Sequence, residues 1–214
     1  WTTAPLGGNR LLTMGQPVGP VYAITPWNFP LAMGTRKIGP ALAAGCTVVI
    51  KPAALTPLTM LYLMRTLKDA GVPDGVVNCV VSSHSAAVSK PILEDPRLRK
   101  LTFTGSTEVG RTLLKQAADP VLRTSMELGG NAPFVVLADA DVEAAVAGAM
   151  PAKFRNNGEA CTAANRFYVH RDVVDEFTTR LLAAVEGLVV GNGMADGTTL
   201  GPLIDAAAVA KVTE

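Results

Sequence analysis

The chain has 214 residues, of which 49% are hydrophobic and 17% charged, with a formal net charge of +1. This balance excludes a disordered tail, and the scattered Lys and Arg residues exclude the basic surface that a nucleic-acid partner needs. The length suits one core domain and part of another.

The number of cysteines and the length of the longest apolar stretch indicate the environment in which the protein resides. Three cysteines, an odd number, provide no disulfide framework and favour the cytoplasm. The most apolar stretch, residues 38–50, is shorter than the roughly 18 apolar residues of a membrane helix, so we expect no membrane association and no metal centre. No signal peptide opens the chain, and because it starts at Trp1 rather than Met, we expect a piece of a longer sequence.

Residues 1–128 alternate short apolar runs with helical patterns, which predicts βαβ units and a doubly wound parallel sheet of the α/β class. Thr56 and Pro57 are typical of a helix start, and Gly71 of its end. The predicted strands are residues 18–24, 46–50, 76–80, 100–103 and 121–126. The other predicted helices are residues 31–44, 83–93 and 106–117.

The adjacent Gly129 and Gly130 indicate a domain boundary, so we predict a first domain at residues 1–128 and a second, truncated one at 129–214. In the second domain we predict strands at residues 132–137 and 166–170 and helices at 141–154 and 173–189. A turn-rich loop follows at residues 191–202. The last segment, residues 204–214, begins another helical pattern.

Cys161 is the candidate nucleophile, because it follows polar residues and a glycine that a buried structural thiol does not need. A thiol with a pKa of about 8.5 is only a few per cent thiolate at pH 7, yet that fraction is a strong nucleophile toward aldehydes. Cys46 and Cys79 lie in Val-rich runs and fit small buried side chains. His84 and His170 lack a Cys-His motif, which disfavours cysteine hydrolase or acyltransferase chemistry.

Two other side chains suit carbonyl chemistry. Asn28 offers an amide that can stabilise an oxyanion, although an asparagine between two prolines also fits a turn that bonds its own backbone. Glu127 offers a carboxylate before two glycines, although it also fits a solvated loop acid. Gly105 and Ser106 follow a strand and open a helix, where phosphate can bind. Lys51 ends a strand and can reach a ribose or phosphate, although such lysines are more often solvated.

Five motifs, in order, carry a resemblance over residues 17–205: Pro26-Trp27-Asn28-Phe29-Pro30, Lys51-Pro52-Ala53, Phe103-Thr104-Gly105-Ser106, Glu127-Leu128-Gly129-Gly130 and Gly158-Glu159-Ala160-Cys161. With them the chain resembles the aldehyde dehydrogenase superfamily. The resemblance implies a dinucleotide-binding domain followed by the start of a catalytic domain. It also implies that whole relatives form homo-oligomers and that the N-terminal segment and a later cofactor-gripping motif are missing here.

The resemblance further implies a mechanism. Cys161 attacks a small-molecule aldehyde, Asn28 holds the oxyanion, and Glu127 activates the water that hydrolyses the thioester. The cofactor is NAD or NADP, and Ala54, where NAD-preferring relatives often carry a glutamate, leaves that choice open. The residues implied in cofactor binding are Ile24, Thr25, Pro26, Trp27, Lys51, Gly105, Ser106 and Leu128.

Within the superfamily the sequence is most similar to those of succinate-semialdehyde dehydrogenases, as in Thr35-Arg36-Lys37 and Lys153-Phe154-Arg155-Asn156. By this likeness Arg36 and Arg155 bind the substrate carboxylate, a task that suits the planar guanidinium group. The alternative is that either arginine pairs with a neighbouring acid. The alternative for the whole chain is a catalytically inert module that binds only a dinucleotide or a protein.

Overall fold

The computed structural model describes residues 2–3 and 10–213. Their contacts divide the chain into two compact units, with the boundary between Leu128 and Gly129. The strands of the first unit are β1 (Thr2–Thr3), β2 (Arg10–Leu11), β3 (Val21–Ile24), β4 (Val48–Lys51), β5 (Val77–Cys79), β6 (Lys100–Gly105) and β7 (Arg123–Leu128). Its helices are α1 (Pro30–Ala43), α2 (Pro57–Asp69), α3 (Ser85–Leu93) and α4 (Thr107–Ala118).

The main sheet of the first unit has five parallel strands in the order β5-β4-β3-β6-β7. Successive strands first add on one side of β3 and then on the other, so the strand order reverses between β3 and β6. Ile24, the last residue of β3, pairs with Lys51 on one side and Phe103 on the other. The prediction of a doubly wound parallel sheet is therefore confirmed. Strands β1 and β2 form a separate antiparallel pair.

Each face of this sheet is covered by its own apolar cluster, as expected of a parallel sheet with helices on both sides. One cluster includes Ala23, Ile38, Ile50 and Met60, and so joins α1 and α2 to the central strands. The other includes Tyr22, Leu93, Leu101, Phe103 and Leu113, and joins α3 and α4 to the opposite face. These clusters fix the positions at which the strands end.

The second unit has strands β8 (Ala132–Val136) and β9 (Ala164–Val169) and helices α5 (Val142–Phe154), α6 (Val174–Glu186) and α7 (Ala206–Thr213). A 3-10 helix, Arg155–Gly158, follows α5. The two strands pair in parallel, with α5 as the crossover between them. Phe134, Phe167 and Phe177 pack with ring centroids 5.4 to 6.5 Å apart beside α5 and α6.

The predicted elements are present, but several boundaries differ. His84 immediately precedes α3 instead of lying within it, and Cys46 precedes β4. Glu127 is part of β7, whereas the sequence placed it after the strand. Thr56 stands at the start of α2, but its hydroxyl makes no capping hydrogen bond. No helix among the described residues is long and apolar enough to cross a membrane.

Candidate functional site

A pocket of about 580 Å³ lies at the carboxyl ends of the central strands of the first unit. It opens where the strand order reverses, which is where open α/β sheets bind their ligands. Leu128 does not line it; a Cβ atom at Gly110 would lie 2.6 Å from the Leu128 side chain, so Leu128 packs against α4. The other seven residues predicted to bind a cofactor line this pocket: Ile24, Thr25, Pro26, Trp27, Lys51, Gly105 and Ser106.

Lys51 is buried at the edge of this pocket, with 3% of its surface exposed. Its ammonium group donates a hydrogen bond to the Pro52 carbonyl oxygen over 3.1 Å. Burial lowers the pKa of Lys51 below its usual value of 10.5. The expectation that a lysine at a strand end is solvated was therefore wrong, because this strand is covered on both faces.

Two threonine hydroxyl groups in the pocket wall, those of Thr25 and Thr104, are buried and have no hydrogen-bond partner among the described residues. A buried hydroxyl without a partner costs about 1–3 kcal/mol. Both hydroxyl oxygens are shielded from solvent, and the hydroxyl of Thr56, outside this pocket, is in the same situation.

The turn between β6 and α4 forms a third part of the pocket. The Ser106 hydroxyl accepts a hydrogen bond from the Val109 backbone N–H over 3.3 Å and so caps α4. Position 105 has to be glycine for a local reason, since a Cβ atom there would lie 2.5 Å from the Phe103 ring. Ser106 and the first turn of α4 thus line the pocket, and the N-terminus of a helix favours anions.

Asn28 lies in the connection between β3 and α1, next to the same pocket. Its side-chain oxygen accepts a hydrogen bond from the Phe29 backbone N–H over 3.1 Å. This is the turn geometry that the sequence analysis kept as an alternative. The bond constrains the orientation of the amide, because it engages the side-chain oxygen.

Glu127 and Arg36 line a second pocket of the first unit, of about 270 Å³, on the α1 face of the sheet. Glu127 is exposed near the end of β7, and Arg36 is exposed on α1. The structure therefore brings together a predicted general base and a predicted substrate-binding residue. Lys37, Lys100 and Thr102 line the same pocket.

Lys37 is a residue that the sequence analysis missed. The residue is 8% exposed, and its ammonium group donates a hydrogen bond to the Thr102 hydroxyl over 3.0 Å. Burial lowers its pKa from 10.5 to about 8, an effect opposed by Glu127 and reinforced by Arg36 and Lys100. The spacing of Met33, Ile38 and Ala41, which places position 37 on the buried helix face, was the available signal.

In the second unit, Cys161 is exposed in a turn between the 3-10 helix and β9. The Ala163 N–H donates to the Ala160 carbonyl oxygen over 3.0 Å and closes this turn. Of the other cysteines, Cys46 is buried and Cys79 is half-buried, and burial raises the pKa of Cys79. Arg155, also exposed, begins the 3-10 helix that leads to the Cys161 turn.

Groups of three or more His, Cys, Asp or Glu side chains suited to a metal ion are absent from residues 2–3 and 10–213. The first unit offers a strand-end pocket, an amide, a carboxylate and a buried amine. The second offers an accessible thiol.

Comparison with known proteins identifies the family and similar sequences. The sequence model of the aldehyde dehydrogenase family matches residues 2–214. The succinate-semialdehyde dehydrogenase of Paenarthrobacter nicotinovorans is 57% identical over 96% of this chain, and the NADP(+) succinate-semialdehyde dehydrogenase of Escherichia coli is 54% identical over 96%. The chain spans 46% and 42% of these two proteins.

Solved structures similar to this chain include enzymes of the same kind as the sequence relatives. The crystal structure of succinate-semialdehyde dehydrogenase from Burkholderia pseudomallei is 53% identical and superposes with a TM-score of 0.89. That match covers 92% of this chain and 41% of the other. The α/β fold described above is thus the fold of these enzymes over the matched residues.

Proposed function

This chain belongs to the aldehyde dehydrogenase family, and from that premise we propose that it oxidises an aldehyde, preferably succinate semialdehyde, to its carboxylic acid with NAD or NADP. The observation that carries the proposal is the contrast among the three cysteines: Cys161 is exposed in a turn, whereas Cys46 is buried and Cys79 is half-buried. A nucleophile has to reach its substrate, and Cys161 is the thiol that meets this requirement. Three free thiols also support a reducing compartment such as the cytoplasm.

The first step is addition of the Cys161 thiolate to the aldehyde carbon. A carbon–sulfur bond forms, and the carbonyl electron pair moves onto oxygen. In this proposal the Asn28 side-chain amide stabilises that oxygen by donating a hydrogen bond to it. Stabilisation of the developing negative charge lowers the barrier to addition.

The second step removes the aldehyde hydrogen with two electrons and leaves a thioester on Cys161. A nicotinamide held in the strand-end pocket would supply the acceptor for this hydride. Glu127 then takes a proton from water, the hydroxide attacks the thioester carbon, and the Cys161 thiolate leaves. One aldehyde, one oxidised nicotinamide and one water thus give one acid, one reduced nicotinamide and one proton.

The pocket at the carboxyl ends of β3 and β6 fits a dinucleotide. Its wall combines the apolar side chains of Ile24 and Trp27 with Lys51 at the strand ends. The first turn of α4, capped by Ser106, suits the pyrophosphate. Lys51 would hold the adenosine ribose beside Trp27, and neither residue decides between NAD and NADP.

We propose succinate semialdehyde because of the two arginines and because relatives are named for this substrate. A guanidinium group binds a carboxylate with two parallel hydrogen bonds, so Arg36 and Arg155 would select an aldehyde that carries a distal acid. The alternative, that they pair with neighbouring acids, predicts equal activity toward neutral aldehydes. Arg36 shares its pocket with Glu127, which supports a role close to the reaction.

The test is reduction of NAD and NADP by the complete gene product that carries these residues, with succinate semialdehyde and with uncharged butanal. We expect reduction that depends on the aldehyde, a strong preference for succinate semialdehyde, and loss of activity in Cys161→Ala but not in the matched variant Cys79→Ala. Cofactor binding without turnover in the wild type would favour the inert-module alternative. Full activity in Cys161→Ala would exclude the covalent mechanism.

A further inference from the structure

The segment before Cys161 has an unusual backbone. Asn156, Asn157 and Gly158 are consecutive residues in the left-handed region, with φ values of 54°, 58° and 74°. Asparagine and glycine are the residue types that tolerate this conformation best. A run of three such residues persists only where surrounding contacts hold it.

Two side chains of the segment hold a second loop. The Asn157 amide oxygen accepts a hydrogen bond from the Gly201 N–H over 3.0 Å, and its NH2 group donates to the Pro202 carbonyl oxygen over 3.2 Å. Glu159 accepts a hydrogen bond from the Ile204 N–H over 3.0 Å. Three hydrogen bonds from two side chains therefore join residues 157–159 to residues 201–204, a stretch that we call the strap.

The strap is itself anchored. The Gly191 N–H donates to the Leu200 carbonyl oxygen over 2.9 Å, and the Leu200 N–H donates to the Val189 carbonyl oxygen over 3.1 Å. The Thr199 hydroxyl accepts from the Val189 N–H over 2.8 Å. These bonds tie residues 199–200, which lead into the strap, to the chain that leaves α6, whose Phe177 belongs to the apolar core of the second unit.

On its other side the Cys161 turn leads directly into β9. Ala163 and Ala164 are 4% and 3% exposed, so the chain is fixed two residues after the thiol. Cys161 thus stands exposed between two fixed points, the buried start of β9 and the strap. Without the strap, the thiol would keep its accessibility and lose its defined direction.

We propose that Asn157 and Glu159 are positioning residues, which aim the Cys161 thiolate by binding the strap. The proposal rests on the proposed function, because it assigns a role in the reaction of Cys161. Glu159 in this role acts as a hydrogen-bond acceptor for a backbone N–H, not as a proton carrier. A misplacement of about 1 Å costs reaction rates on the order of 100-fold, so the strap is expected to act on the chemical step.

Three variants and a control separate positioning from general stability. Asn157→Gly removes both strap bonds and keeps the left-handed backbone accessible. Glu159→Ala removes the acceptor, while Glu159→Gln retains an oxygen that can accept from Ile204. Asn192→Gly is the control, because Asn192 accepts a bond from the Met194 N–H within the same loop and does not contact residues 157–159 through it.

The experiment measures single-turnover hydride transfer in the complete gene product and, separately, amide hydrogen exchange at Gly201 and Ile204. We expect Asn157→Gly and Glu159→Ala to slow single turnover by about 10- to 100-fold, with little change in the KM for the nicotinamide cofactor. Glu159→Gln should recover most of the rate, and Asn192→Gly should match the wild type. Exchange at Gly201 should accelerate in Asn157→Gly, and exchange at Ile204 in Glu159→Ala.

Each unfavourable outcome has a distinct meaning. Faster exchange with unchanged single-turnover rates would show that the strap does not position Cys161 and would overturn the proposal. A loss of rate in Glu159→Gln as large as that in Glu159→Ala would assign the effect to the charge and overturn the role given to Glu159. A wild type without aldehyde-dependent turnover would refute the proposed function, and the exchange measurements would then still report whether the strap bonds exist.

Discussion

The Lys37 ammonium group donates a hydrogen bond to the Thr102 hydroxyl over 3.0 Å and thereby links α1 to β6 beneath the pocket that contains Glu127. Burial lowers the pKa of Lys37 to about 8, and the nearby Glu127 carboxylate opposes part of this effect. The fold thus keeps an amine where its charged form is unfavourable, next to the proposed general base.

Lys37 should make stability depend on pH. Its pKa is about 8 in the folded chain and 10.5 when unfolded, so between these values the unfolded chain binds more protons. The free energy of unfolding therefore rises with pH from about 8 to 10.5, and below pH 8 the burial penalty is fully present. Urea unfolding of the wild type and of Lys37→Met at pH 7, 9 and 10 checks this. Parallel pH dependences in the two proteins would contradict it.

Ser106 should affect both stability and cofactor binding. Ser106→Ala removes the cap of α4 and is expected to lower the free energy of unfolding by about 1 kcal/mol. Asp141 caps α5 in the same way, accepting from the Ala144 N–H over 3.0 Å, and is outside the strand-end pocket. Asp141→Ala should lose similar stability and bind NAD or NADP normally, whereas Ser106→Ala should bind more weakly. Isothermal titration calorimetry of both variants with NAD and with NADP measures these affinities. Equal affinities in the two variants would refute the role of Ser106.

Gly34 should not tolerate a larger side chain. A Cβ atom at position 34 of α1 would collide with the methyl group of Met60, a fully buried residue whose side chain would have to shift within the core. Gly34→Ala is therefore expected to destabilise the protein by about 1–3 kcal/mol. In the matched variant Gly148→Ala, the new Cβ would lie 3.9 Å from the Phe134 ring, an ordinary contact, so helix propensity should stabilise α5 by about 0.5–1 kcal/mol. Thermal unfolding of both variants should show shifts of opposite sign.

The two proposed substrate arginines should distinguish charged from neutral aldehydes. Arg36→Gln and Arg155→Gln are each expected to raise the KM for succinate semialdehyde by about 10- to 100-fold, since hydrogen bonds to a charged group contribute about 1.5–3 kcal/mol. Kinetics with butanal should change little. Arg65→Gln is the control, because Arg65 is exposed and lies 3.8 Å from Asp69 on α2. Equal effects on both aldehydes would show that the arginines have a structural role.

The fold was predictable from the sequence where pattern and packing agree. Apolar runs that end in Gly, Pro or Ser identify β3 to β6, and Gly71, with φ +85°, ends α2 as its position suggested. The strands were located because a parallel sheet buried on both faces requires nearly continuous apolar residues. Strand ends were less accurate, because pairing with a neighbour extends β6 to Gly105 beyond its apolar core.

The environment of single polar residues could not be predicted in the same way. The burial of Lys37 and Lys51 depends on helices that pack over the sheet from distant parts of the sequence. The bonds of Asn157 and Glu159 to the strap join positions about 45 residues apart, a separation that local pattern does not encode. The sequence predicts Cys161 as a nucleophile from its neighbours, which stays a prediction, and it gives no information on the contacts of the residues around that side chain.

The most direct test of the central claim is mass spectrometry of the Glu127→Gln variant after incubation with succinate semialdehyde and NAD or NADP. Without its general base the enzyme should form the thioester and fail to hydrolyse it. We predict a succinyl group on Cys161 and none on Cys46 or Cys79. An unmodified Cys161 in a variant that still reduces the nicotinamide would contradict the account.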